Sequence, residues 1–448
     1  MKSNIILIMI FSIFIAACGK KLDLLPRQSV AEEVALNSDA NVKKVLNGAY
    51  DAVSDGDLWG GNLLLFSELL AANDEIMWEG TFNQPREVWQ KSMLTTNSFV
   101  RDTWLEAYDV INTANNILSA VDVVKDADKD RVKGEALFLR GSMYFELVKL
   151  YAKPYSAGSV GTNKGLPLVL TPTRSIEASS YVERSTVEQT YSQILADITE
   201  AESLLPNANT VYANKAVAAG MLSRIYLQME KYPEARDAAD RAIAIATTAG
   251  KSLPASYAAA FNNSSNSSED LFAMQVSAQD GANNMHLYWS IPTFGGRDGD
   301  VSIDASHLAL YSPADERLTL FYIGAGATRS GKWKLQYSKL PILRLAELYL
   351  TRAEANFREG TSTGAAPLQD VNRIRQRADL SALGSVILSD ILLERKLELA
   401  HEGQGAHDLK RLRLSADGFA YNANEMVLPI PQREIDASRN TIVQNDGY

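Results

Sequence analysis

The sequence predicts a mostly helical protein made of packed α-hairpins, interrupted by one large irregular insertion. Three observations carry that expectation. Apolar residues recur at three- and four-residue steps over several long segments, most plainly between 341 and 413, which places them on single helical faces. The segment KAVAAGMLSRIYLQMEKYPEARDAADRAIA repeats small and large residues at helix-hairpin spacing. From Gly250 to Tyr337 the helical period fails, and Gly, Asn and Asp interrupt the chain.

In chain order, Lys2 precedes an apolar run from Ile5 to Ile15, followed by Ala16, Ala17 and Cys18. The run is shorter than the ~20 residues that span a bilayer, and its charged, apolar, small-residue order is that of a secretory signal. Ile15-Ala16-Ala17-Cys18 resembles a bacterial lipobox, which makes Cys18 the expected lipidation site; the plainer alternative is a signal cleaved after Ala17. Cys18 is the only cysteine, so no disulfide forms within one copy. We expect a signal peptide at 1–17, a lipidated tether at 18–37, an N-terminal helical region at 38–249, an irregular ligand-binding insertion at 250–338 and a C-terminal helical region at 339–448, all in one structural unit.

Asn41 to Val53 reads as a short helix with Val42, Val45, Leu46 and Ala49 inward. From Asp55 to Asn97 breakers surround Trp59, Trp78 and Trp89. A helix carrying Trp104, Tyr108, Ile111 and Leu118 on one face follows, expected to end near Val124. GEALFLRGSMYFELVKLYAKPY has two apolar stripes, the pattern of a helix held between neighbours. Ser185-Thr186-Val187-Glu188 reads as a capping box opening a helix that Pro206 stops. Leu222, Ser223, Tyr226, Tyr232, Ala235, Ala239 and Ala242 then fall at tetratricopeptide spacings, with looser copies at 99–150, 342–378 and 386–412. In the insertion, LFAMQVSA alternates like a strand, and HLYWSIPTFGGRDGD crowds aromatics among Gly and Asp. Ile342, Leu345, Ala346, Tyr349, Ala353 and Phe357 share a helical face beyond it.

The run LLERKLELAHEG followed by HDLKRL, with PILRLAELYLTRAEA and NRIRQRADL before it, resembles the SusD/RagB family. The match lies in Glu394, Arg395, Glu398, Leu399, Glu402, Gly403, Asp408, Leu409 and Arg411, and departs at His401, Ala406 and His407, where that family has aromatics. EALFLRGSMYFELVKLYAKPY and the terminal LPIPQREI and QNDGY are similar to the family's other signatures, so the resemblance covers nearly the whole mature chain. It implies a SusD-like fold with a tetratricopeptide-type scaffold, and a lipoprotein of the outer membrane facing the cell exterior. Such proteins capture glycans and deliver them to a SusC-like TonB-dependent transporter, without chemistry and without a cofactor. A RagB-like peptide binder and a secreted glycoside hydrolase are the alternatives.

Composition narrows the classes. With a net charge of −10 and no basic block, the chain lacks the clustered cations that nucleic-acid phosphates need. Gly326 to Lys332 has phosphate-loop spacing, but Trp333 stands where Ser or Thr would hold magnesium. His401 and His407 are not four apart on one helical face, so they form no zinc pair. Asp298, Asp300 and Asp304 are hard donors without the remaining spacing of a calcium loop. No catalytic residue and no metal site emerge. The ligand-binding candidates are aromatics in breaker-rich segments, Trp78, Trp89, Tyr288, Trp289 and Phe294, with Asp74, Gln90, Asn97, Arg297 and Asp298 near them. Flat rings accept the C–H face of a sugar, and the polar groups hydrogen-bond its hydroxyls.

Overall fold

Helices pack on one another in chain order, and the order survives the insertion. The computed structural model describes residues 36–175 and 177–448; the signal segment, Cys18 and nearly all of the tether lie outside the described residues. The first helix, α1 (Asp39–Val53), is capped by Ser38 and buries Val42, Leu46, Ala49 and Val53. The wholly buried α2 (Asn62–Leu70) leads to a short strand, β1 (Ile76–Trp78), and to α3 (Asn83–Trp89). Next come α4 (Ser98–Ser119), α5 (Asp126–Tyr151), β2 (Lys164–Pro167), β3 (Arg184–Thr186) and α6 (Val187–Leu204). The repeat-like pair is α7 (Lys215–Gln228) and α8 (Tyr232–Thr248).

The helix α5 shows why two apolar stripes matter. Every residue from Gly134 to Tyr151 is buried, because α4 covers one side and α6 the other. Gly141 lets α6 approach closely: a Cβ there would lie 2.9 Å from side-chain atoms of Asp197 and Ile198. The cap of α6 falls one residue later than the spacing predicts. Thr186 is the capping residue and Gln189 the reciprocal partner, because Ser185 turns instead toward Leu166 O and the Thr190 hydroxyl.

The insertion holds β4 (Asp270–Met274), α9 (Asn284–Trp289), β5 (Val301–Ile303), α10 (Ala305–Leu308), β6 (Phe321–Gly324) and β7 (Ala327–Ser330). The remaining elements are β8 (Leu340–Arg344), α11 (Leu345–Glu359), α12 (Pro367–Arg377), α13 (Leu388–Glu398), α14 (Gly405–Arg411) and α15 (Gln432–Ala437). Strands pair antiparallel two by two: β1 with β5, β2 with β3, β4 with β8, β6 with β7. Ile342 therefore belongs to a strand and not to the following helix, which starts at Leu345. The strand β4 is buried at all five residues, where alternation predicts a half-open one. Pairing with β8 and packing on α7 cover it. Across this excursion α8 packs directly on α11, which continues onto α12 and α13.

The charged signature residues lie inside this stack as ion pairs. Arg411 Nη1 is 2.6 Å from Glu354, Arg395 Nε 2.8 Å from Asp408, and Arg317 Nη1 2.7 Å from Glu394. Glu398, fully buried, accepts from Arg377 and, at 3.0 Å, from Arg344. Glu402 is 2.6 Å from Lys332 and 2.7 Å from Arg344. Buried charges of this kind persist only when paired, so the motif fixes how the last helices seat on β8 and the insertion.

Candidate functional site

The pairing of β1 with β5 brings two breaker-rich stretches together. Ile76 faces Ile303 and Trp78 faces Val301, and Glu79 N donates to Asp300 O at 2.7 Å. Gly80 must be glycine, since a Cβ would lie 2.3 Å from Asp300 Oδ1. The buried Trp78 indole donates to Phe82 O at 3.0 Å and meets Tyr288 edge-on, with centroids 5.5 Å apart. Tyr288 in turn supports Phe82 and Phe99 at 6.3 and 6.4 Å. Phe82 is thereby held with 39% of its surface open.

Arg297 lies over Phe82, its guanidinium carbon 3.8 Å from the ring centroid. It also donates to Asp300 at 3.1 Å and to the Thr81 hydroxyl. Burial pushes the Asp300 carboxyl up, and Arg297 opposes that shift. Three residues before Arg297, Phe294 is 38% exposed. It stands edge-on to Tyr322 of β6 at 5.6 Å, and Lys334 Nζ reaches both rings at 4.7 and 4.2 Å. Gly295 turns the chain at φ +86°, and a Cβ there would touch Gln336 Oε1 at 3.0 Å. Phe82 under Arg297 forms one aromatic cluster, and Phe294 and Tyr322 with Lys334 and Gln336 a second; the 294–297 turn links the two as an aromatic ledge edged by hydrogen-bonding groups. The exposed Asp298 and Tyr337 adjoin it along the chain.

Of the candidates read from sequence, Phe294, Arg297 and Asp298 stand at this ledge, and Trp78 and Tyr288 form its base rather than its face. Burial pushes the Tyr288 hydroxyl up to about 12. Trp289 is fully buried, its ring 4.9 Å from that of His401, and has no open face. Asn97 caps α4 instead: its Oδ1 accepts from Phe99 N and Val100 N, and its Nδ2 donates to Gln84 O and Glu87. All its hydrogen-bonding capacity goes to the fold. The half-buried Trp89 donates to Ile76 O at 3.2 Å. Gln90, just after α3, and Asp74, at φ +60°, are exposed outside the contacts that build the ledge.

Phe82, Tyr322, Lys334 and Gln336 are not singled out by sequence reasoning. Phe82 sits between the two tryptophans of its stretch, which draw attention by size, and the others arrive from a hairpin distant in the chain. The phosphate-loop spacing resolves into that hairpin: Gly326 is in the β6–β7 turn at φ +78°, and Lys332 is buried against Glu402. Asp304 caps α10, and Asp300 is tied to Arg297.

A family described as "Starch-binding associating with outer membrane" matches residues 20–227, and the SusD family matches 319–427. The chain is similar to SusD-like protein P2 of Formosa agariphila, 25% identical with 94% of each chain covered. A 124-residue stretch is 35% identical to the starch-binding protein SusD of Bacteroides thetaiotaomicron, 24% of this chain and 21% of that one. The crystal structure of a candidate sugar-binding protein of Bacteroides vulgatus superposes with TM-score 0.82 at 26% identity, over 92% of this chain and 99% of that one.

Proposed function

The chain belongs to the SusD family, and on that premise we propose that it captures oligosaccharides at the outer membrane and passes them to a SusC-like TonB-dependent transporter. One observation carries the glycan reading. Phe82, Phe294 and Tyr322 hold aromatic surface beside Arg297, Lys334 and Gln336. A sugar ring needs that combination: its C–H face loses water against a ring, while its hydroxyls exchange hydrogen bonds with the polar edge. The ledge is open rather than a closed cleft, which suits a ligand that must be released onward. One matching family, one relative and one solved structure that it resembles are named for starch or sugar binding.

A binder without chemistry is consistent with the carboxylates of the family signature, which are spent on buried ion pairs. The lipid anchor at Cys18, the outward orientation and the transporter partner are parts of the same proposal and rest on family membership and the lipobox-like run.

The test is an affinity screen of the lipid-free protein against neutral and acidic oligosaccharides and a peptide pool. Each exposed ring contributes roughly 1 kcal/mol, so a Phe82→Ala, Phe294→Ala double variant is expected to lose roughly 25-fold in glycan affinity. Binding of peptides alone, or glycan binding indifferent to both substitutions, refutes the assignment.

A further inference from the structure

Elements α2, α13 and α14 surround a cavity of about 290 Å³, and the aromatic ledge takes no part in its lining. Leu392, Leu399, Leu409 and Leu412 give it an apolar wall, and the exposed Leu393 and Leu414 stand at its rim. One buried carboxylate belongs to that wall. Glu68, in the last turn of α2, is only 8% exposed. Its Oε1 accepts the backbone N–H of Gly403 at 2.7 Å and of Gly405 at 3.2 Å, which holds the turn before α14. Its Oε2 accepts no hydrogen bond from a described residue and stays open to water, and the space that Glu68 borders is this cavity.

A carboxylate taken out of bulk water costs free energy unless a cation or enough donors compensate it. The other charged groups of the lining are already matched. Glu75 is paired with His307 and Lys396, Asp408 with Arg395 and Arg411, and Arg411 also with Glu354. Lys332 acts on Glu68 only through space, because its ammonium is 2.6 Å from Glu402 and donates to Glu398 O and Ala400 O. Among the described residues, Glu68 is thus the lining charge without an ion pair. Burial, with Glu402 adding to it, pushes its carboxyl up to about 7, while the two N–H groups and Lys332 oppose that shift.

We propose that this cavity binds a small monoamine, its ammonium group set against Glu68 Oε2 and its apolar body against the leucine wall. An ammonium supplies both the donor and the charge that Oε2 lacks. Ala71, Ala72 and Asn73, which follow the carbonyl end of α2, line the same space, and the carbonyl end of a helix favours a cation. The leucines draw the rest of the ligand out of water. An alcohol of the same shape offers Oε2 a donor without the charge, so its bond is weaker. A carboxylate meets Glu68 as a like charge, with Arg395, Arg411 and Lys396 already engaged. The volume lies at the lower edge of the roughly 300–1,000 Å³ of ordinary ligand pockets. It fits one ring or a short branched chain, not the oligosaccharide proposed for the ledge, and the inference does not depend on that proposal.

The test titrates benzylamine, benzyl alcohol, toluene and benzoate against the mature protein by ligand-observed NMR at about pH 8, where Glu68 is ionised and the amine protonated. Crystals soaked with benzylamine locate it. Wild type is compared with Glu68→Gln, which keeps an acceptor for the two N–H groups and removes the charge, and with Leu414→Trp, which fills the rim from an exposed position. Benzylamine in the cavity is expected, bound about tenfold or more tighter than the other three. Glu68→Gln should weaken it about tenfold and leave benzyl alcohol within about twofold of wild type, and Leu414→Trp should abolish binding. No occupancy by benzylamine, equal or tighter binding of any of the other three, or indifference to either substitution overturns the proposal. Should Glu68→Gln fail to fold, the ligand series and Leu414→Trp decide it.

Discussion

Replacing Glu398 by Gln tests how the signature residues act. Glu398 is fully buried, 3.0 Å from Arg344, in contact with Arg377, and 3.8 Å from Arg317. Desolvation raises its carboxyl, but Arg377, Arg344 and Arg317 more than offset that and hold it at about 2 against an ordinary 4.5. At 1.36 kcal/mol per unit, the charge contributes about 3 kcal/mol to folding near neutral pH. That agrees with the ~3–5 kcal/mol lost when one partner of a buried pair is removed. The sign follows from a depressed folded value: the contribution is complete above the unfolded pKa and disappears as pH falls through the folded one. Urea unfolding of wild type and Glu398→Gln should differ by about 3 kcal/mol between pH 5 and 7, and by about 1 kcal/mol at pH 3. A difference below about 1 kcal/mol at pH 7, or one that grows on acidification, refutes the reasoning.

Three further outcomes follow. Trp289→Ala should lower unfolding free energy by about 3–5 kcal/mol while leaving the glycan affinity of the folded fraction unchanged; lost affinity with intact stability would make Trp289 a ligand contact after all. Gly295→Ala places a side chain at φ +86° against Gln336. It should cost about 1–2 kcal/mol in urea unfolding and weaken glycan binding by displacing Phe294; unaltered stability would mean that the turn relaxes freely. Cys18→Ser should move the protein from the membrane to the soluble fraction and end incorporation of labelled palmitate; retention in the membrane would show a different anchor.

Helices and caps were legible because their signals are local. A three-to-four period needs only neighbouring residues, so α5 with its two stripes and the α7–α8 pair could be read directly. Even there contacts shifted the details: Ser185 is drawn to Leu166 and Thr190, moving the cap to Thr186, and the apolar start of the 341–359 segment is claimed by β4 as a partner strand. The ledge was legible only in part. Composition pointed to aromatics among breakers, and of the residues it picked out the structure puts Phe294, Arg297 and Asp298 at the ledge. Composition also favoured the largest rings, and those fill cores best: Trp78 and Trp289 are buried, while the smaller Phe82 is left at the surface.

What the amino-acid order determined by itself was the helical scaffold and the family, since periodicity and the 394–411 signature are properties of consecutive residues. Which rings stay at the surface and which charges are spent on holding the fold was decided in three dimensions. The antiparallel pairing of β1 with β5 joins Phe82 to Arg297, and the β6–β7 hairpin brings Tyr322 to Phe294. Burial then sorts the candidates, because a side chain's exposure is set by everything packed around it and not by the residues beside it in the chain.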